Sequence, residues 1–173
     1  MNYYGAKDMA ESWRTVRKNT IQVAEDIPED KYSYRAAPET MSVAEIFSHL
    51  AVTPYWAQQC HFVDKKSTVT SEDFGKWMGE VGKHASTLTS KAAIVDALKK
   101  NGEQFASQLE GLSDDQLGEM VGLPMGTKTR FEMLLGVKEH EMHHRAQLFL
   151  IERLLGIVPH LTRARQAAMA ARA

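Results

Sequence analysis

Cysteine is nearly missing from this chain. Cys60 stands alone among 173 residues, so no disulfide can form within the chain and no oxidising compartment is needed. An excess of either charge is missing too. Lys and Arg number 21 against 22 Asp and Glu, a formal net charge of -1, which gives no field for nucleic acid or anionic lipid. Arg163, Arg165 and Arg172 in the tail are too few to make a phosphate-binding patch. No apolar run approaches the roughly 20 residues that span a bilayer. The opening MNYYGAKDMAESWR lacks the apolar stretch of a signal peptide. These absences predict a cytoplasmic protein that meets neither membrane nor nucleic acid. Alternating runs of useful length, internal repeats and a second domain are also lacking, so residues 1–173 read as one all-α domain.

What is present is helical periodicity. Met9, Trp13, Val16, Thr20, Val23 and Ile27 mark one face of a helix near 4–26, stopped by Pro28. A polar loop, PEDKYSYRAAPETM, follows. Ser42 and Glu45 form a capping box, with Met41 and Ile46 placed as a hydrophobic staple, and open a helix near 42–63 with a kink expected at Pro54. Its inner stripe reads Ile46, His49, Leu50, Thr53, Trp56, Ala57 and Cys60. Residues 64–89, rich in Ser, Thr, Gly and Lys, predict a loop with one short helical turn. A third helix is expected near 90–110. Ser113 with Gln116 and Thr129 with Glu132 give two more capping boxes, the second opening a helix near 130–155. Gly156 is placed to end that helix in a left-handed conformation, and residues 160–173 read as a peripheral tail. Four long helices predict a four-helix bundle.

The histidines carry the chemistry. His140 and His144 are four apart and stack on one face of the last helix, on the predicted core stripe Met133, Val137, His140, His144, Leu148, Ile151, Leu155. Imidazoles on a buried stripe need polar partners, and a shared metal ion would satisfy both. His49, on the inner stripe of the second helix, is a third candidate, since bundles build metal sites from facing helices. Three neutral imidazoles suit zinc, nickel, copper or iron(II) and suit magnesium poorly. Three protein ligands leave a coordination position open for water or substrate.

Two segments carry a family resemblance. EHEMHHRAQL, Glu139 to Leu148, resembles the last-helix motif H-x-x-x-H-R-G-Q-L of the DinB-like proteins, and SVAEIFSHLAVTPYW, Ser42 to Trp56, resembles their second-helix motif. The flanks GTKTRFEMLLGVKEHEMHH and LLGIVP fit as well, and Ala146 replaces the usual glycine. The resemblance implies an up-down four-helix bundle with a long insertion between the second and third helices, often a homodimer. It implies one divalent ion, nickel or zinc with iron and manganese left open, on His49, His140 and His144. It further implies a metal-dependent transferase or hydrolase acting on a small molecule, with a low-molecular-weight thiol as a candidate co-substrate. The alternative is a non-catalytic metal-binding or stress-associated bundle.

H-E-M-H-H at 140–144 also matches the zinc-protease pattern H-E-x-x-H. The extended form wants Gly and His where this chain has Gln147 and Leu150, so that reading is set aside. Glu141 could serve as a base, but an ion pair with Arg145 one turn on is favoured. His143 is expected to face away from the pair, and His61, His84 and His160 to lie at the surface. Cys60 is expected in the core, as are Tyr55 and Trp56 unless they line a pocket. Glu45 is explained by its cap.

Overall fold

The computed structural model describes residues 4–172. Four long helical segments make the bundle. They are α1 (Ala6–Asp26), α2 (Val43–Val52) continued by α3 (Pro54–Gln58), α5 (Lys91–Glu110) and α7 (Arg130–Leu154). The expected capping boxes at Ser42, Ser113 and Thr129 are all formed, each hydroxyl accepting the backbone N–H three residues on. Gly156 sits at φ +78°. Its N–H donates to Arg153 O and that of Ile157 to Glu152 O, which closes α7 as expected.

The directions of the helices follow from contacts between them. Trp13 donates to Gly102 O and Lys91 reaches Ile27 O, so α1 and α5 run antiparallel. Tyr4 meets Phe131, Lys138 meets Ser12 and Arg17 meets Glu141, so α1 and α7 run parallel. Asn101 donates to Ala51 O and Gln58 to Gln108, so the second segment runs parallel to α5. It runs antiparallel to α7, since Ile46 and Ile151 line one cavity at their seam and Trp56 and Val137 line another. The order is therefore up, down, down, up, and strict alternation holds on only two sides of the bundle.

That order explains residues 64–89. Two consecutive helices in the same direction need a connection that returns along the bundle. The return is α4 (Ser71–Ser86), sixteen residues or about 24 Å long. A full helix thus stands where the composition predicts a loop with one short turn, although Gly75, Gly79 and Gly82 each lower helix propensity. Thr70 with Asp73 caps the helix, however, and Trp77 and Val81 are buried, so capping and packing override propensity.

The kink expected at Pro54 is present: the 42–63 helix breaks at Thr53, where Pro54 opens α3. Two further departures matter. That segment ends in a π-helical turn at Gln59–Val63. Residues 113–129 hold α6 (Asp114–Gly118) and an antiparallel hairpin of β1 (Met120–Leu123) and β2 (Gly126–Thr129), which no period-two run announced. The tail forms α8 (His160–Ala170), with no buried residue. No helix among the described residues is long and apolar enough to cross a membrane.

Candidate metal centre

The buried stripe of α7 keeps Met133, Val137, Leu148 and Ile151 of the predicted one and adds Leu134, Glu141 and Glu152, whereas His140 and His144 are half-buried. His49 is half-buried too, between buried Ser48 and Leu50. The three rings thus meet at the outer edge of the seam between α2 and α7, with the core behind them.

They meet closely. One ring nitrogen from each of His49, His140 and His144 lies within 4.8 Å of the other two. His49 Nε2 is 3.0 Å from His140 Nε2, and the ring centroids of the three pairs lie 4.7–5.1 Å apart. Metal–nitrogen bonds of about 2.0–2.1 Å put cis ligands about 3.0–3.4 Å apart, so a shared ion needs only a modest closing of the third ring.

Neighbouring side chains set the tautomers. Thr53 is one turn below His49, its hydroxyl donating to His49 O at 2.5 Å and lying 3.2 Å from His49 Nδ1. With its proton used on the carbonyl, the hydroxyl accepts from Nδ1–H. The His49 Nε2 lone pair then points at the cluster. Gln147 Oε1 likewise accepts from His144 Nδ1–H at 2.9 Å, and its amide nitrogen donates to His143 Nε2 at 3.2 Å. His144 also presents Nε2.

All three rings are held neutral. Burial lowers the His140 pKa to about 4, helped by the neighbouring histidines. Burial and His144 lower His49. Burial lowers His144 against the opposing pull of Gln147. Neutral imidazoles are what a cation needs as ligands. Donor type, spacing and the tautomers of His49 and His144 fit a divalent ion.

Several expectations change here. Glu141 does not pair with Arg145. It is 2% exposed and meets Arg17 of α1, whose Nη2 is 2.7 Å from its Oε2. Arg145 instead reaches Val16 O. His61 is buried rather than exposed, within hydrogen-bond reach of Arg130 at 2.9 Å, and burial lowers its pKa to about 3. His160 is half-buried against Asn19, while His84 and His143 are exposed as expected. Cys60 is fully buried and its thiol is pushed up to about 11 by burial, which makes it inert. Trp56 is half-buried and lines a cavity with His49 and His140, whereas Tyr55 lies against His84.

The family model described as the DinB superfamily matches residues 12–148. The chain belongs to the DinB superfamily. YjoA of Bacillus subtilis (strain 168) is 27% identical over 143 residues, 81% of this chain and 84% of that protein. The crystal structure of YjoA, a DinB-like protein, superposes with a TM-score of 0.67 at 25% identity, over 86% of this chain and 92% of that one. A DinB-like protein from Bacillus cereus ATCC 10987 gives 0.69 at 18% identity, over 91% and 97%. YfiT from Bacillus subtilis is described as a probable metal-dependent hydrolase with an unusual four-helix bundle topology. It gives 0.67 at 14% identity over 88% of each chain, a likeness of fold alone.

Proposed function

We propose that His49, His140 and His144 hold one divalent ion, and that this DinB-superfamily protein is a metal-dependent hydrolase or transferase acting on a small molecule. The carrying observation is the convergence of three neutral imidazoles whose nitrogens lie within 4.8 Å of one another. The description of YfiT as a probable metal-dependent hydrolase supports the same reading. Nickel and zinc suit the donor set, with iron or manganese left open. A divalent ion supplies a Lewis acid and brings the pKa of bound water towards about 7. The chain's own contribution is positional. Thr53 and Gln147 fix two of the rings, and the half-buried setting leaves one side open to a ligand. A low-molecular-weight thiol as attacking group rests on the family resemblance alone.

One observation favours the non-catalytic alternative. Glu141, the carboxylate next to the centre in sequence, is buried in the core with its Oε2 held by Arg17.

Metal analysis of protein purified without an affinity tag tests the proposal. About one ion per chain is expected, lost in His49→Ala, His140→Ala and His144→Ala and kept in His143→Ala. Full occupancy in His49→Ala with an empty site in His143→Ala would overturn the assignment.

A further inference from the structure

Two cavities flank the histidine cluster. One, of about 330 Å³, lies between the loop at Ala36–Met41 and α7, with His144 in its wall beside Ile46, Leu150 and Ile151. The other, of about 190 Å³, has His49 and His140 in its wall beside Trp56, Phe74, Met78 and Val137. Neither is lined by Asp, Glu, Lys or Arg. Their few polar side chains are already engaged. Thr40 bonds the backbone of Ala37, Thr53 bonds His49, and both ends of Gln147 are held by His143 and His144. Histidine nitrogens are therefore the polar atoms left for a ligand. The groove between α1 and α5 is unlike this, being walled by Arg14, Lys18, Glu25, Lys99 and Glu103.

Large apolar side chains stand exposed at the two cavities. Phe74 is 46% exposed, edge-on to Trp56 at 6.0 Å between centroids, and Leu150 is 58% exposed. A small molecule lodged against them would remove this surface from water, at about 25 cal/mol per Å². A charged arm in either cavity would lose hydration with no counter-charge to replace it. Apolar walls converging on a few polar atoms are the usual composition of a small-molecule site.

We propose that the ligand of the three-histidine centre is a small molecule whose polar reacting group is flanked by two uncharged, apolar arms. The larger arm lies along Ile46 and Leu150, and the smaller lies against Trp56 and Phe74. This deepens the metal-centre reading and rests on it. A thiol whose arms carry free carboxylates finds no cation in these walls.

The test uses zinc-loaded full-length protein and N-phenyl-1-naphthylamine, a neutral fluorescent probe with two aromatic arms about one nitrogen. Saturable binding is expected. Ala36→Glu and Phe74→Glu, both at exposed positions, should each weaken it at least tenfold while zinc stays at one per chain. Unchanged or absent probe binding with zinc retained overturns the proposal. If the two variants instead alter the sedimenting mass and leave probe binding intact, the cavities belong to a subunit contact and the proposal falls. Probe binding that is lost in both variants of a chain taking up no zinc would sink the metal-centre reading and leave the apolar cavities standing.

Discussion

Arg17 donates to Glu141 Oε2 twice, from Nε at 3.0 Å and from Nη2 at 2.7 Å, with both side chains 3% exposed. The same guanidinium donates to Leu98 O at 3.2 Å and to Leu50 O at 2.9 Å. One arginine therefore ties α1 to α7, α5 and α2, joining all four long segments of the bundle. Two of its contacts, Leu50 and Glu141, directly follow the candidate ligands His49 and His140. The guanidinium therefore bridges α2 and α7 one residue away from each of those two ligands.

Removing one member of this pair strands the other's charge in the core. Arg17→Ala is expected to cost about 3–5 kcal/mol in denaturant unfolding, and Glu141→Ala a similar amount. Arg17→Met combined with Glu141→Leu should recover most of the loss, because no buried charge remains. Gly102 adds a steric check. A Cβ there would lie 2.6 Å from Arg17 Cγ, a carbon held in place by the pairing beyond it. Gly102→Ala should therefore destabilise the protein, although alanine is favoured over glycine by about 1 kcal/mol in a helix interior. A gain in stability would show that the arginine can move aside.

Such a contact is hard to read from a sequence. Glu141 has Arg145 one turn away, and a local rule pairs them. Its actual partner lies 124 positions earlier, and only the bundle's order brings it near. His61 was misplaced for a related reason, since the π turn at 59–63 shifts the helical phase that puts a residue in or out. By contrast His140 and His144 need only a spacing of four, and their neighbour His49 needs only a facing helix. Thr53 and Gln147 were legible in principle. Each lies three or four residues after the histidine it orients, on the same face.

Thr53 offers a direct probe of tautomer control. Thr53→Val keeps the shape and removes the hydroxyl that accepts from His49 Nδ1–H. The expected effect is about tenfold weaker zinc binding in competition with a fluorescent chelator, within the range for partners of metal ligands. Gln147→Leu should act likewise through His144. Wild-type affinity in both variants would remove the tautomer argument and leave the ligand set untouched.

Exposed apolar residues support the homodimer proposed from the family resemblance. Leu154 at the end of α7, Val158 in the loop after it and Leu161 in α8 are 45–55% exposed, and none of them lines the two cavities beside the histidines. Exposed apolar side chains of this size suit burial against a second copy of the chain. Sedimentation should show a dimer at micromolar concentration, shifted to monomer by Leu154→Glu. A monomer at every concentration would refute it.

Glu152 gives the fold a pH dependence of definite sign. Its side chain is fully buried on α7, and neither carboxylate oxygen has a partner among the described residues. Burial, reinforced by Asp26, raises its pKa to about 7, while Arg163 and Arg153 pull the other way. The folded state therefore holds this proton to a higher pH than the unfolded chain, where a glutamate titrates near 4.3. Because the native state binds more protons in that interval, stability falls as pH rises from about 4.5 to about 7 and levels off above. Glu152→Gln keeps the shape without the charge. Its unfolding free energy should change less between pH 5 and pH 8 than that of the parent, by an amount on the order of 2 kcal/mol. It should also be the more stable protein at pH 8. Chelator-treated samples should be compared, so that pH-dependent metal binding does not contribute. Parallel pH profiles for the two proteins would mean that Glu152 finds a partner in solution, such as a buried water, and that its carboxylate is stabilised in place.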